Sequence, residues 1–160
     1  YTDVLTGLAN RRAAEEHLAA LAQGDTAFTL VLFDLDHFKS VNDTYGHATG
    51  DAALCHVVSV IQSRLRTVDA LGRFGGEEFL VVMPGTHLAG ARDAAQRMRL
   101  ALEQTPLRTG GATIPLTASF GAAVLGPHES QASVLRRTDA AMYLAKRNGR
   151  NRVEISTDGI

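Results

Sequence analysis

The chain has 160 residues, 45% of them apolar, which is enough for one globular domain with a single sizeable core. Its formal net charge of -1 gives no basis for binding a nucleic-acid polymer or an anionic membrane, because such binding depends on clustered Lys and Arg. The apolar runs are far shorter than the roughly 20 residues of a membrane-spanning helix, and a single cysteine excludes an intrachain disulfide.

Apolar residues in the first half of the chain alternate between helical and strand patterns. The run "AFTLVLFDLD" is continuously apolar until it ends in acid, which indicates a central strand covered on both faces. Cys55 lies in the run "ALCHVVSVI", so we expect a buried small hydrophobe in a reducing, cytoplasmic setting. The predicted elements are a helix over 11–22 with Asn10 as its N-cap, a strand over 27–36, a short helix that breaks at Gly46, and a long helix from about 50 to 68 that includes Leu65 and Val68.

In the second half, the segments "ALGRF" and "EFLVVM" flank the pair Gly75-Gly76 and predict a β-hairpin. The remaining predicted elements are a helix that carries Leu88 to Leu102, a strand over 113–125, a helix that Ser130 opens and Gly149 follows, and a last strand in "NRVEI". Strands that alternate with helices, together with hairpins that force antiparallel pairing, indicate a mixed sheet with helices packed on it. The class is α+β or α/β.

Acidic side chains stand directly against apolar runs at two places. Asp34 and Asp36 end the buried strand, where period-two alternation points both to one face if the strand continues that far. Glu77 and Glu78 follow the Gly-Gly pair. Carboxylates are costly to bury without a partner, and three or four of them converge if the hairpin lies beside the first strand. A divalent cation would relieve their repulsion, and Mg²⁺ binds to a few carboxylates with water and substrate phosphates as its other ligands.

The same pattern has a simpler interpretation, in which the acids cap strand ends in water and the two glycines only make a good turn. A tip without side chains nevertheless lets a flat ring or a phosphate approach the backbone. Two metal ions at such a tip could activate a hydroxyl and stabilise a pyrophosphate leaving group. The residues alone therefore indicate an acidic metal site, with nucleotidyl transfer as one open interpretation.

Several separated motifs occur in one order along the chain. They are "DVLTGLANRR", "FDLDHFKSVNDTYGHATGD", "GGEEF", "TASFGAAV" and "RTDAAMYLAKRNGRNRV". This set resembles the GGDEF family of diguanylate cyclases, in its GGEEF spelling, over essentially the whole chain. The resemblance implies an α+β, palm-like nucleotidyl cyclase fold, with a central mixed, largely antiparallel five-stranded sheet flanked by helices, and a small hairpin.

In that family two GTP molecules condense to cyclic di-GMP with release of two pyrophosphates. The resemblance implies two Mg²⁺ or Mn²⁺ ions per active site, with Asp34, the backbone carbonyl of Leu35 and Glu77 as their ligands. Glu78 matches the fourth position of the signature, and two roles stay open for it, metal binding and deprotonation of the 3′-hydroxyl. For Asp36 a structural role is at least as well supported as a catalytic one.

The resemblance also implies the residues that bind GTP. Asn42 and Asp51 match the pair that reads the guanine edge, and an aspartate suits the N1–H and N2–H₂ donors of guanine, which favours GTP over ATP. Capping of a helix is a compatible second role for Asp51. The other implied contacts are Phe38, which equally suits the core, Lys39, Gly75, Gly76, and the pair Lys146 and Arg150, which also suit the last turn of a helix.

A second site is implied by the sequence "RTVD", in which five residues separate Asp69 from Gly75. Arg66 and Asp69 match the inhibitory RxxD motif that binds the product, and Arg97 matches the second arginine of that site. In most proteins such a spacing would be only a surface ion pair. A planar guanidinium can, however, pair with phosphate and fork to guanine, which suits a guanine dinucleotide.

The two-fold symmetry of the product implies that two domains face each other antiparallel, so that a homodimer is needed for catalysis. We expect residues 1–160 to be one GGDEF catalytic domain cut from a longer signalling protein, with a sensory or receiver module before it. That protein would be cytoplasmic or anchored to a membrane by other segments. One alternative is a noncatalytic receptor for GTP or cyclic di-GMP, against which intact Asp34 and Glu77 argue. Another is a different cyclase, which makes a mononucleotide or uses ATP, and Asp51 argues against the use of ATP.

Overall fold

The computed structural model describes residues 1–157, which form one five-stranded mixed sheet flanked by helices, and a separate two-stranded hairpin. The helices are α1 (Arg11–Ala22), α2 (Phe38–Tyr45), α3 (His47–Gln62), α4 (Leu88–Glu103) and α5 (Gln131–Arg147). The strands are β1 (Phe28–Leu35), β2 (Ala70–Arg73), β3 (Glu78–Pro84), β4 (Leu107–Thr109), β5 (Ala112–Ile114), β6 (Ala118–Val124) and β7 (Val153–Ile155). The predicted α+β class and mixed, largely antiparallel sheet are therefore confirmed.

Strand β1 occupies the centre of the sheet, whose order is β2-β3-β1-β6-β7. Its two neighbours, β3 and β6, run antiparallel to it, and only β6 and β7 pair in parallel. All eight residues of β1 are buried, as the continuous apolar run predicts. Val31, Phe33 and Leu35 face a core shared with α3 and α4, whereas Leu30 and Leu32 face a second core shared with α1 and α5.

Three phenylalanines form a row across the middle of the sheet. Phe33 of β1 lies directly opposite Phe79 of β3 and Phe120 of β6. The ring centroids are 5.2 Å apart for the first pair and 5.0 Å for the second, both stacked, and all three side chains are fully buried. Cross-strand aromatic pairs of this kind stabilise one register of the sheet.

Local sequence accounts for the helix starts that were predicted. Asn10 Oδ1 accepts a hydrogen bond from the backbone N–H of Ala13 at 3.0 Å, and Ser130 Oγ accepts one from Ser133 at 3.1 Å. Both are N-caps, which satisfy a donor that the helix itself leaves without a partner. The short helix α2 ends before Gly46, whose φ is 93°, a value that favours glycine. No helix within residues 1–157 is both long enough and apolar enough to cross a membrane.

Three predictions about local structure are wrong. Helix α3 spans His47–Gln62 instead of 50–68, and Val68 is 62% exposed. Leu65 still packs on the core from the turn after α3, so helical spacing of apolar residues continues beyond the helix. Cys55 is exposed, with Sγ 3.6 Å from the carbonyl of Leu5, because it lies on the outer face of α3. The strand predicted over 113–125 is two strands, β5 and β6, which belong to different sheets.

Candidate active site

The Gly75-Gly76 turn lies beside the end of the central strand. Glu78, the first residue of β3, is directly opposite Asp34 of β1, and the Leu35 N–H donates to the Glu77 carbonyl at 3.3 Å. The sequence placed acidic residues at the strand end and at the hairpin, and the structure brings these two places together. Asp34, Glu77 and Glu78 therefore lie together at one end of the central strands, which we call the carboxylate edge.

Asp34 is buried at this edge, with 6% of its surface exposed. Its Oδ2 accepts a hydrogen bond at 2.5 Å from Nζ of Lys146, which lies in the last turn of α5. Its other carboxylate oxygen, Oδ1, is buried and accepts no hydrogen bond from residues 1–157. A buried carboxylate oxygen without a donor is costly, so a further positive partner would stabilise this side chain.

The Glu77 carboxyl interacts closely with Asp34. Burial, the negative charge of Asp34 and a hydrogen bond to the Asp34 carboxyl raise the pKa of Glu77 to about 7. Such an interaction is favourable only while one of the two carboxyls carries a proton, and it becomes repulsive when both are ionised. The pKa of Glu78 is also raised, first by burial and then by the negative charges of Asp139 and Asp34. The site therefore holds more negative charge than Lys146 neutralises.

This arrangement fits a divalent cation. Within residues 1–157, no three His, Cys, Asp or Glu side chains form a cation site by themselves. Asp34 and Glu77 nevertheless offer two carboxylates in repulsive contact, and Leu35 contributes a backbone carbonyl at the same strand end. Mg²⁺ usually binds through one or two carboxylates and takes its remaining ligands from water and substrate phosphates.

Arg73 fixes the hairpin tip, and sequence analysis did not single it out. Its guanidinium donates to the carbonyls of Gly75 and Gly76, with the shortest distance, 2.7 Å, from Nη2 to Gly76. On its other side Nη1 donates to both oxygens of Asp3 at 3.0 and 3.2 Å, and this ion pair is mostly buried. An arginine two residues before a Gly-Gly pair was the available signal. The tip is therefore held by a side chain even though its glycines have none.

Asp36 has a structural role. Its Oδ1 accepts from Ser119 Oγ at 2.6 Å, and its Oδ2 accepts from Thr117 Oγ1 at 2.7 Å and from the Asn151 N–H at 3.0 Å. It is 6% exposed. Strand β1 ends at Leu35, one residue before Asp36. The carboxylate thus joins β6 and the segment after α5 to the end of β1.

The residues predicted to read guanine lie where α2 and α3 meet. The Asn42 side chain of α2 packs so closely on Gly50 of α3 that a Cβ there would lie 2.9 Å from Asn42 Cγ and closer still to Oδ1. Asp51 follows Gly50 and is exposed, and Phe38 lies against the same glycine while it packs on the core. Asn42 therefore contacts the residue that precedes Asp51, and Phe38 packs on the core, as its sequence allowed.

The predicted phosphate contacts differ in their surroundings. Lys146 is at the carboxylates, as described. Lys39 is almost fully exposed on α2, and its Nζ pairs with Asp43 at 3.0 Å. Arg150 is exposed in the turn after α5, where its φ of 63° is left-handed. Of these three cations, only Lys146 contacts a residue of the carboxylate edge in the structure.

The predicted inhibitory residues line one groove of about 380 Å³ between α4 and the turn before β2. Arg66 donates to Asp69 through Nη2 at 2.7 Å and through Nε at 3.2 Å, and Nη2 also donates to Pro84 and Thr86. The Asp69 side chain is 1% exposed, whereas that of Arg66 is 51% exposed. Arg97 of α4 lines the same groove. The motif is therefore more than an isolated surface ion pair.

Comparisons with known proteins agree with this geometry. Residues 1–152 match the family "Diguanylate cyclase, GGDEF domain". The chain is 39% identical over 159 residues to diguanylate cyclase DgcP of Pseudomonas aeruginosa, covering 97% of this chain and 24% of DgcP. It is 38% identical over 159 residues to the response regulator PleD of Caulobacter vibrioides, covering 95% of this chain and 35% of PleD. The chain thus spans about a quarter to a third of these two relatives.

Among solved structures, the GGDEF domain of DgcB from Caulobacter crescentus, in complex with c-di-GMP, superposes with a TM-score of 0.92 at 37% sequence identity. The superposition covers 97% of this chain and 95% of that one. The family match covers nearly the whole chain, and the fold agrees with it from the first helix to the last strand. The chain belongs to the GGDEF family of diguanylate cyclase domains.

Proposed function

We propose that this domain, in its GGEEF spelling, condenses two GTP molecules into cyclic di-GMP with release of two pyrophosphates. The observation that carries the proposal is the pair of Asp34 and Glu77. One of its carboxyls has a pKa raised to about 7, and the other has a buried oxygen without a donor within residues 1–157. Groups with perturbed pKa values at the edge of a fold are typical of functional sites.

Asp34, the Leu35 carbonyl and Glu77 would hold two Mg²⁺ or Mn²⁺ ions together with the triphosphate. When bound, such ions polarise the phosphate and stabilise the charge of the leaving pyrophosphate. Lys146 already donates to Asp34 at 2.5 Å. Its flexible ammonium can turn to a phosphate oxygen once another cation neutralises Asp34. Lys39 and Arg150, both exposed, would bind the remaining phosphate charge.

The reaction forms a bond between the 3′-oxygen of one nucleotide and the α-phosphorus of the other, and it breaks the bond from that phosphorus to pyrophosphate. The proton of the 3′-hydroxyl needs an acceptor. Glu78 is suited to this role, because burial, Asp139 and Asp34 raise its pKa and make it a stronger base than an ordinary carboxylate. Asn42 and Asp51 would hold the guanine, and Gly75 and Gly76 would let the nucleotide approach the backbone.

One domain holds one nucleotide, so the product requires two domains that face each other antiparallel. The groove of Arg66, Asp69 and Arg97 would bind the product and inhibit the enzyme. The relatives are three to four times longer than the matched region, and PleD is a response regulator. We propose that residues 1–160 form one catalytic domain of a longer cytoplasmic or membrane-anchored protein, whose N-terminal sensory or receiver module brings two domains together.

The test is to incubate the purified domain at high concentration with GTP and Mg²⁺ and to separate the products by chromatography. An Arg66→Ala variant relieves product inhibition, and Glu77→Gln removes the carboxyl that lies against Asp34. We expect cyclic di-GMP from the first and none from the second, with Asp25→Asn, a change at an exposed turn, behaving as wild type. Absence of cyclic di-GMP from Arg66→Ala would exclude a cyclase, and full activity in Glu77→Gln would exclude the metal assignment.

The Arg-rich groove itself favours a second candidate, a noncatalytic receptor for cyclic di-GMP. Besides Arg66 and Arg97 it includes Arg64, so three guanidinium groups line it. In a receptor, cyclic di-GMP would bind to the wild-type domain and no product would form from GTP. Isothermal titration of the domain with cyclic di-GMP, compared with the product assay, separates the two functions.

A further inference from the structure

The turn after α5 holds two consecutive non-glycine residues in the left-handed region. Arg150 has a φ of 63° and Asn151 a φ of 45°, directly after Gly149 at 125°. A side chain with a Cβ rarely adopts this conformation, and two in succession persist only where the surroundings hold them. The geometry of Arg150 is therefore imposed by contacts with the rest of the domain.

Asn151 supplies most of those contacts. Its backbone N–H donates to Asp36 Oδ2 at 3.0 Å, its Nδ2 donates to Glu103, and its Oδ1 accepts from Arg99 Nη1 at 3.2 Å. The Arg150 N–H donates back to the Ala145 carbonyl of α5 at 3.0 Å. The turn is thus fixed to three elements, which are the end of β1, helix α4 and helix α5.

Asp36 is the buried anchor among these contacts. Its two oxygens accept three hydrogen bonds, from Ser119, Thr117 and Asn151. The first two donors belong to β6 and the segment just before it, so Asp36 ties the turn to the middle of the sheet. Both oxygens are occupied, whereas Oδ1 of Asp34, two residues earlier, accepts no hydrogen bond within residues 1–157.

The anchored turn carries Arg150, and the next residue, Asn151, donates its N–H to Asp36 just after the end of β1. Arg150 is exposed, and no residue within 1–157 accepts a hydrogen bond from its guanidinium. Lys146, four residues earlier, donates to Asp34 at 2.5 Å. A charged side chain on a fixed turn loses less conformational freedom on binding an anion than one on a mobile segment.

We propose that Asp36 is a positioning residue for the triphosphate. It holds the left-handed turn through the Asn151 N–H and thereby fixes the backbone of Arg150, from which the guanidinium reaches the phosphates of GTP. The inference rests on the proposed function, because it takes the nucleotide as the ligand of Arg150. In this role Asp36 acts through Arg150 and is not a metal ligand.

A double-mutant cycle tests this role by binding alone. Isothermal titration measures the affinity of the domain for Mg²⁺ and guanosine 5′-(α,β-methylene)triphosphate, which cannot be condensed. We expect Arg150→Ala and Asp36→Ala each to weaken binding about tenfold, the effect of one hydrogen-bonded charge contact. The double variant should be no weaker than the worse single variant, because both changes remove one interaction. Asp36→Asn keeps an acceptor for the turn and should retain most of the affinity.

The controls separate the alternatives. Arg147→Ala removes a nearby exposed cation and should leave the affinity unchanged. Binding about a hundredfold weaker in the double variant would overturn the positioning role. Asp36→Asn that binds the analogue as weakly as Asp36→Ala would also overturn it, because that result indicates a metal ligand. If Arg150→Ala does not weaken binding, only the positioning role of Asp36 is overturned. If the wild-type domain binds no analogue, the proposed function is overturned as well.

Asp36→Ala leaves buried donors without a partner and can unfold the domain, which circular dichroism would reveal. Asn151→Gly is then the decisive variant. It keeps the N–H that Asp36 accepts and tolerates positive φ, but it removes the side-chain contacts to Arg99 and Glu103. We expect Asn151→Gly to weaken binding of the analogue severalfold when Arg150 is present. Added to Arg150→Ala, it should cause no further loss of affinity. Unchanged affinity of Asn151→Gly would show that the turn does not position Arg150.

Discussion

Glu77→Gln should stabilise the metal-free domain above neutral pH. The pKa of Glu77 rises from 4.5 in the unfolded chain to about 7 in the folded one. The folded state therefore binds the proton more tightly, and stability falls as the pH rises from about 4.5 through 7. The full shift corresponds to about 3 kcal/mol. Water screens this partly exposed carboxyl, so we expect about 1 kcal/mol. Glutamine has nearly the same shape and does not titrate.

The assay is urea unfolding of both proteins in EDTA at intervals between pH 4 and 8. The wild type and Glu77→Gln should have nearly equal free energies of unfolding near pH 4, where Glu77 is mostly protonated in both states. Glu77→Gln should become more stable by about 1 kcal/mol by pH 8. Asp25→Asn, which neutralises an exposed carboxylate in the turn after α1, should show no such growth with pH.

Two results would refute the reasoning. A difference between wild type and Glu77→Gln that is constant from pH 4 to 8 would mean that burial and Asp34 do not raise the pKa of Glu77. A Glu77→Gln variant that becomes less stable than wild type as the pH rises would mean that the ionised carboxylate has a stabilising partner. Added Mg²⁺ should reduce the loss of wild-type stability at pH 8, because a cation favours the ionised pair.

Three further predictions concern packing and acid stability. Gly50→Ala should leave the stability to urea unchanged or raise it by up to about 1 kcal/mol, because alanine favours helix. The new Cβ should displace Asn42 and weaken the binding of a GTP analogue, measured by titration, at least tenfold. Equal affinity would exclude the guanine role of Asn42. Gly121→Ala should cost about 3 kcal/mol or more, since its Cβ would overlap the backbone of α5; a thermal midpoint within 2 °C of wild type, about 0.5 kcal/mol, would contradict this. Hydrogen bonds from Arg137 lower the pKa of Glu129 to about 2, so the stability they give is lost as the pH falls from 4.5 through 2. In acid unfolding, the free energy of unfolding of Glu129→Gln should therefore fall less over this range than that of the wild type.

The fold was predictable from sequence where local chemistry and apolar spacing agree. The continuous apolar run of β1 predicted a central strand of the sheet, and Asn10 and Ser130 predicted the starts of α1 and α5. The end of α3 was not predictable, because Leu65 packs on the core from a turn with helical spacing. The exposure of Cys55 depends on which face of α3 meets the sheet, and a residue's neighbours in sequence do not determine that.

The candidate site was predictable as a set of residue types and less so as a set of contacts. Acids against apolar runs indicated the edge at Asp34 and Glu77, and the register of β1 with β3 joins them. Arg73 was missed, because its partners are backbone carbonyls and Asp3, which lies 70 residues away. The role of Asp36 likewise depends on hydrogen bonds from Thr117, Ser119 and Asn151, at separations of 81 to 115 residues.

The phenylalanine row across the sheet also protects the site from errors of strand alignment. Phe33, Phe79 and Phe120 stack in the row next to the one that aligns Asp34 with Glu78 and Ser119. A slip of one residue between these strands would turn an aromatic ring toward the helices on the wrong side and a carboxylate into the core. A misaligned sheet is therefore strongly disfavoured, and the register that stacks the rings also aligns Asp34 with Glu78.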